Sequence, residues 1–154
     1  MRVMFVCHGN ICRSPMAEMI LKKLAADNGL SAEVEIESRA TSDEEIGNPV
    51  YPPARATLRE HGVPCEKREA TKLKSSDYDK WDMLIGMDSA NIRNMNRIFG
   101  GDPDRKIIRL MELAGKNIDV SDPWYTGQFE QTYRDVYEGC LALLEIIKKK
   151  QNKE

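Results

Sequence analysis

No stretch of the 154-residue chain is apolar for long enough to cross a bilayer, which takes about 20 consecutive residues. The opening MRVMFVCHGN has no long hydrophobic region and no small-residue cleavage site, so nothing in it points to secretion. An excess of one charge is also missing. Lys plus Arg number 23 and Asp plus Glu 25, a formal net charge of −2. That balance gives no general reason to expect nucleic acid or a membrane surface as partner. The one like-charge run, Lys148-Lys149-Lys150, ends an apparent helix and reads as a solvated terminus that complements the dipole. Histidine is scarce. His8 and His61 stand alone, neither spaced as a general base, and a surface or loop-bracing role suits both. The four cysteines, at 7, 12, 65 and 140, come without a targeting signal, which suggests free thiols in a reducing compartment, the cytoplasm. Cys7 and Cys12 have no second Cys/His pair at zinc-ligand spacing, so no metal is expected.

What is present suits one domain over residues 1–154, with an ordinary hydrophobic fraction of 41%. Arg2 to Val6 is a short β-prone run of the kind found in buried parallel strands. Pro15 fits the first turn of a helix that carries Met16, Ala17, Met19, Ile20 and Leu24 and stops near Gly29. Val34, Ile36 and Ser38 alternate with three glutamates, which reads as a strand with one wet face. Residues 40–53 are loop-like, and Ala54 to His61 is helical. Trp81 to Met87 reads as a third strand, and Asp88 is a good N-cap for a helix bearing Ile92, Met95 and Phe99. Lys106 to Leu110 is a fourth strand, residues 114–127 a loop, and 129–147 a long amphipathic helix. Strands alternating with helices predict an α/β fold with a parallel sheet, in which ligands bind at the carboxyl ends of strands. Cys7 stands at such an end.

Residues 7–14, CHGNICRS, join that strand to that helix. Backbone N–H groups in such a loop can converge as a nest for an anion, and the helix start adds free N–H groups and a positive dipole end. Gly9 removes bulk, Gly9 and Asn10 tolerate positive φ, and Arg13 offers a planar fork for two phosphate oxygens. A thiol in the middle of that field is stabilised as a thiolate by the donors that bind phosphate, and Ser14 can add a hydrogen bond. Such a cysteine can attack phosphorus to give a phosphocysteine. A lone cysteine after a strand is more often a small buried hydrophobe, but here Gly-Asn, Arg, Ser-Pro and the helix surround it.

A leaving oxygen needs a proton donor. Asp122, in Ser121-Asp122-Pro123-Trp124-Tyr125, is a carboxyl in a Pro-bounded loop beside two aromatic rings, which suits a general acid. By itself it would read as a turn residue before proline.

FVCHGNICRSPMAE together with DPWY resembles the low-molecular-weight protein tyrosine phosphatase family. The similarity extends through Glu37-Ser38-Arg39-Ala40-Thr41, Arg59-Glu60-His61-Gly62-Val63-Pro64 and Met87-Asp88-Ser89-Ala90-Asn91. The resemblance implies a four-stranded parallel sheet with helices on both faces and hydrolysis of phosphotyrosine through a phosphocysteine. Cys7 would be the nucleophile, Arg13 the phosphate clamp, and Asp122 the general acid and then base. His8, Gly9, Asn10, Ile11, Cys12, Ser14, Glu44, Trp124 and Tyr125 would contact or shape the substrate site, with Asn10 bracing the loop and Ser14 assisting the thiolate. Cys12 could form a reversible disulfide with Cys7. No metal or organic cofactor is implied. The expected partners are a phosphotyrosine protein or peptide, and inorganic phosphate or a similar oxyanion in the cradle. The chain itself is expected to be a monomer or weak dimer.

Related activities share this cradle. Arsenate reductases of the fold use two further cysteines after the third strand, where this chain reads Leu84-Ile85-Gly86-Met87-Asp88. Protein-arginine phosphatases tend to carry Thr at the position of Ile11 and lack the aromatic pair, so Ile11, Trp124 and Tyr125 favour a flat aromatic substrate. A phosphate-binding module without catalysis would need neither thiolate nor acid. The chain departs from the family at two places. His8 replaces an apolar or small residue, which predicts a pH-sensitive charge at the pocket mouth. Glu44 stands where some members carry an aromatic wall, with Tyr51 a candidate substitute, and predicts a preference for basic residues flanking the phosphotyrosine.

Overall fold

A computed structural model describes residues 1–153. Four strands form one parallel sheet in the order β2-β1-β3-β4: β1 Arg2–Cys7, β2 Glu35–Ala40, β3 Met83–Gly86 and β4 Ile107–Arg109. The helices are α1 Arg13–Asp27, α2 Pro52–Glu60, α3 Ser89–Phe99, α4 Leu110–Leu113, α5 Pro123–Thr126 and α6 Phe129–Asn152.

β1 is interior, with both edges paired, and both of its faces are packed, so its alternation sorts the core into two layers. Val3, Phe5 and Cys7 point to the larger layer, built with α1, α2 and α6. Met4 and Val6 point to the other, where Tyr78, Trp81, Leu84 and Met95 pack. β2 lies at an edge and keeps the expected wet face: Ile36, Ser38 and Ala40 are buried while Glu35 is exposed. α6 buries Tyr133, Val136, Cys140, Leu143, Leu144 and Ile147 along one stripe. Each such aliphatic side chain contributes about 1.5–3 kcal/mol relative to exposure. Gly139 lets α6 close on α4, because a Cβ there would sit 2.5 Å from Leu110 Cγ.

Several boundaries differ from the sequence reading. The third strand is shorter than Trp81 to Met87. Trp81 is instead a buried residue before the strand, with the Arg2 guanidinium 4.8 Å from its ring. The fourth strand ends at Arg109, since Leu110 already opens α4. α2 starts earlier, at Pro52, where a proline is tolerated because the first N–H has no helical partner. Residues 114–127 contain the short helix α5, capped by Asp122 and closed by Gly127 at φ 71°. No described helix is long and apolar enough to cross a membrane.

β2 and β3 lie on opposite sides of β1, so the topology switches direction between β1 and β3. In parallel sheets that crevice, at the carboxyl ends, is where ligands bind. Cys7 ends β1, and Asp88 follows β3 across the crevice.

Candidate active site

Residues 8–12 turn from β1 into α1, and Asn10 adopts φ 59°, a conformation asparagine tolerates better than most side chains. That turn aims the Asn10 N–H at Cys7 Sγ, 3.3 Å away. Ser14 Oγ lies 3.0 Å from the same sulfur. Among the described residues, no side chain caps α1, so its first N–H groups and dipole end face the cradle. Gly9 sits under the 43–46 loop. A Cβ there would meet Glu45 Cγ at 3.3 Å, tighter than a relaxed contact.

Asn10 is fully buried and has all its hydrogen-bonding capacity engaged. Its Nδ2 donates to Ser14 Oγ (2.7 Å) and Ser38 Oγ (3.0 Å), and its Oδ1 accepts from Arg68 Nη2 (2.5 Å) and Thr71 N (3.1 Å). Ser38 Oγ donates onward to Glu18 Oε1 (2.5 Å), and Lys22 Nζ lies 2.7 Å from Glu18 Oε2. Glu18 is buried, and its charge is met by Lys22 and by Arg68 Nε at 3.6 Å. Asn10 and Ser14 thus lie beneath the cleft, as braces, and Ser14 touches the sulfur.

The Arg13 side chain is only 3% exposed. Nη1 donates to Asp88 Oδ2 (2.6 Å) and Val120 O (2.9 Å), while Nη2 reaches Asp122 Oδ2 at 3.4 Å. Burial alone would lower its pKa. The negative charges at Cys7, Asp88 and Asp122 outweigh burial and hold the guanidinium above its ordinary range. Cys12 is the opposite case. Burial, then the charges of Cys7 and Asp122, push its thiol far up, so it is a neutral neighbour at physiological pH. All four cysteines are free thiols.

The cleft at Cys7 is lined by the apolar and aromatic Ile11, Cys12, Trp124 and Tyr125 and by the polar His8, Glu44, Glu45, Arg13 and Asp122. Ile11 and Cys12 are buried, whereas Trp124 and Tyr125 are 50% and 82% exposed. Asp122 is fixed as the N-cap of α5, its Oδ1 accepting from Trp124 N at 3.1 Å. Tyr51 lies outside that lining. Its ring packs behind Trp124 at a centroid distance of 4.7 Å, with Phe129 on its far side at 6.0 Å, so it buttresses the aromatic wall. Within the polar part of the lining, His8 Nε2 and Glu44 Oε2 meet at 3.0 Å. His61 is elsewhere, bonded to Glu130 at 2.9 Å and stacked on Tyr133 at 3.7 Å. Among the described residues, no group of three or more His, Cys, Asp or Glu side chains could hold a metal ion.

The structure places Cys7, Arg13 and Asp122 in one cleft; the sequence reading did not single out Glu18, Arg68 or the contact of Asp88 with Arg13. Glu18 had a signal, since Ser14, Glu18 and Lys22 recur at four-residue spacing on one helix face. Arg68, in an irregular segment, had none.

Fold and site together define an α/β protein with a cysteine in a strand–loop–helix cradle and a carboxyl in the lining of the same cleft. The family model for low molecular weight phosphotyrosine protein phosphatase matches residues 2–153. The chain belongs to that family. It is 37% identical over 151 residues to the low molecular weight protein-tyrosine-phosphatase YfkJ of Bacillus subtilis, covering 97% of each chain. The YfkJ crystal structure superposes with a TM-score of 0.93, covering 97% of this chain and 96% of that one. The low molecular weight protein tyrosine phosphatase SP-PTP of Streptococcus pyogenes is 39% identical, with a TM-score of 0.84 and coverage of 94% and 91%. The YwlE arginine phosphatase is 28% identical, with a TM-score of 0.88 and full coverage of both chains (100% each).

Proposed function

We propose that the protein hydrolyses phosphotyrosine in proteins or peptides through a phosphocysteine intermediate, working as a single catalytic domain. The observation that carries this reading is the convergence of Ser14 Oγ (3.0 Å) and Asn10 N–H (3.3 Å) on Cys7 Sγ, with Arg13 and Asp122 paired above it. In the first step the Cys7 thiolate attacks phosphorus while the P–O bond to the phenol breaks, and Asp122 gives its proton to the leaving oxygen. Arg13 Nη2 and the cradle N–H groups share the charge that builds on the phosphoryl oxygens. In the second step Asp122 takes a proton from the attacking water. The P–S bond then breaks, Cys7 departs as thiolate and phosphate is released. The 3.4 Å contact between Arg13 Nη2 and Asp122 is long enough for an arriving phosphate to displace.

Hydrolysis of phosphoarginine is the second reading, favoured by the likeness to the YwlE arginine phosphatase. Buried Ile11 and the tilted Tyr51–Trp124 pair argue for an aromatic ring in the cleft rather than a guanidinium, which wants hydrogen-bonding partners. Four free cysteines support a reducing, cytoplasmic location.

The test is phosphate release from a phosphotyrosine peptide and from phosphoarginine by the wild type, Cys7→Ser and Asp122→Ala. Phosphotyrosine should be the faster substrate, Asp122→Ala should lose about 10²-fold or more, and Cys7→Ser should be inactive. A faster rate on phosphoarginine selects the second reading. A phosphotyrosine rate that survives Cys7→Ser removes both.

A further inference from the structure

We propose that His8 and Glu44 form a titratable clasp at the cleft mouth, through which the preference for a cationic residue beside the phosphotyrosine grows as pH rises. This rests on the phosphotyrosine reading of the site.

The pair is built into the backbone rather than being a chance meeting of two long side chains. The His8 carbonyl accepts from Ser42 N (3.1 Å) and Ser42 Oγ (2.9 Å), and Ser42 Oγ also receives the Glu44 N–H at 3.4 Å. These bonds join the cradle to the 41–47 loop directly beneath the contact. His8 Nε2 and Glu44 Oε2 stand 3.0 Å apart, both side chains exposed and both lining the cleft.

Three acids in a row occupy this rim, and they are not equivalent. Asp43 is paired with Lys72 at 3.1 Å, and Glu45 accepts from Asn48 Nδ2 at 2.6 Å. Among the described residues, the one ion-pair partner of Glu44 is His8, an imidazole that pairs as a cation only when protonated. When His8 is protonated it neutralises Glu44, and the rim offers a substrate cation little. When His8 is neutral it can still donate a hydrogen bond, but the Glu44 charge is uncompensated and free to pair with Lys or Arg on the substrate. The remaining charged or titratable groups around the mouth are Cys7, Arg13, Glu45, Asp122 and Tyr125. Cys7, Arg13 and Asp122 face the phosphoryl group common to both peptides, and Glu45 and Tyr125 remain in His8→Leu, so any slope that they cause persists in that variant.

The measurement is kcat/KM for two phosphotyrosine peptides that differ only in carrying Lys or Glu next to the phosphotyrosine, with p-nitrophenyl phosphate as reference. Neither Lys nor Glu changes charge appreciably from about pH 5.5 to about pH 8. The Lys-to-Glu ratio of the wild type should rise about threefold across that range at low ionic strength, and less in high salt. His8→Leu should hold the ratio at its high-pH value throughout, and Glu44→Gln should lower it at every pH while the remaining imidazole still gives it a slope; a ratio unchanged by Glu44→Gln removes Glu44 from the clasp. Hydrolysis of both peptides with a pH-independent ratio overturns the clasp and leaves the phosphatase reading intact. A slope that persists in His8→Leu does the same. Failure to hydrolyse either peptide overturns the phosphatase reading, and the clasp with it.

Discussion

Asn10 Nδ2 donates to Ser14 Oγ across 2.7 Å, and this bond ties the tightest turn of the cradle to the first turn of α1. Ser14 is thereby oriented toward Cys7 Sγ, so a residue with no exposed surface governs the nucleophile's surroundings. Asn10→Ala should cost about 2–4 kcal/mol of stability, since it strands partners at Ser14, Ser38, Arg68 and Thr71 and strains φ 59°. Asn10→Gly should recover the backbone part alone, melting higher than Asn10→Ala but with equally reduced kcat. Thermal unfolding beside steady-state kinetics checks this, and Asn10→Gly regaining full kcat would contradict it.

The aromatic wall predicts a split between binding and chemistry. Tyr51 holds Trp124 from behind and touches none of the reacting atoms. Tyr51→Leu should raise KM for a phosphotyrosine peptide about three- to tenfold, the size of a lost aromatic pair, with kcat little changed. Tyr51→Phe should behave as wild type. Unchanged KM in Tyr51→Leu would show that Trp124 keeps its place without support.

The cysteines should separate by reactivity. Burial pushes the thiols of Cys12 and Cys140 far up, and raises Cys65 more modestly. Iodoacetamide at neutral pH should therefore modify Cys7 first, inorganic phosphate should protect it, and Cys12 and Cys140 should lag. Peptide mass spectrometry over time reads the order. Equal rates at Cys7 and Cys12 would contradict the cradle's selectivity.

Acid should loosen two surface clusters. Asp102 accepts from Tyr78 Oη (2.6 Å), Lys106 N (2.8 Å) and Ile107 N (3.1 Å). Burial pulls its pKa up, but those bonds outweigh burial and hold it below the ordinary range. Asp119 is likewise raised by burial and lowered more by Arg109 and Ser89. A pKa depressed in the folded state contributes stability that is present above the unfolded value, about 3.9 for aspartate, and lost as pH falls through the folded value. Urea unfolding should show stability falling below about pH 4, with a shallower fall in Asp102→Asn. An identical slope in that variant would remove Asp102 from the explanation.

The cradle was legible because its chemistry is local: Gly9, Asn10, Arg13, Ser14 and Pro15 are close neighbours in sequence, and each residue type has a distinct physical role there. The alternation of β2 and the long stripe of α6 were legible for the same reason. What sequence spacing did not carry was tertiary. Asp88 reads as an N-cap, and its Oδ1 does accept from Asn91 N at 2.8 Å, but its Oδ2 also holds Arg13 from across the crevice. Tyr51 was a candidate wall of the cleft, but it packs against Trp124 and Phe129 outside the lining, a placement that depends on tertiary packing. His8 and Glu44 were each read at the mouth, yet their contact needed the fold of the 41–47 loop.

The most direct test of the proposed chemistry is rapid acid quench of the wild type with a radiolabelled phosphotyrosine peptide, followed by peptide mapping. The label should appear transiently on the peptide containing Cys7, bound through sulfur, and be absent in Cys7→Ser. Release of phosphate with no label on Cys7, or label on another residue, would contradict the phosphocysteine mechanism.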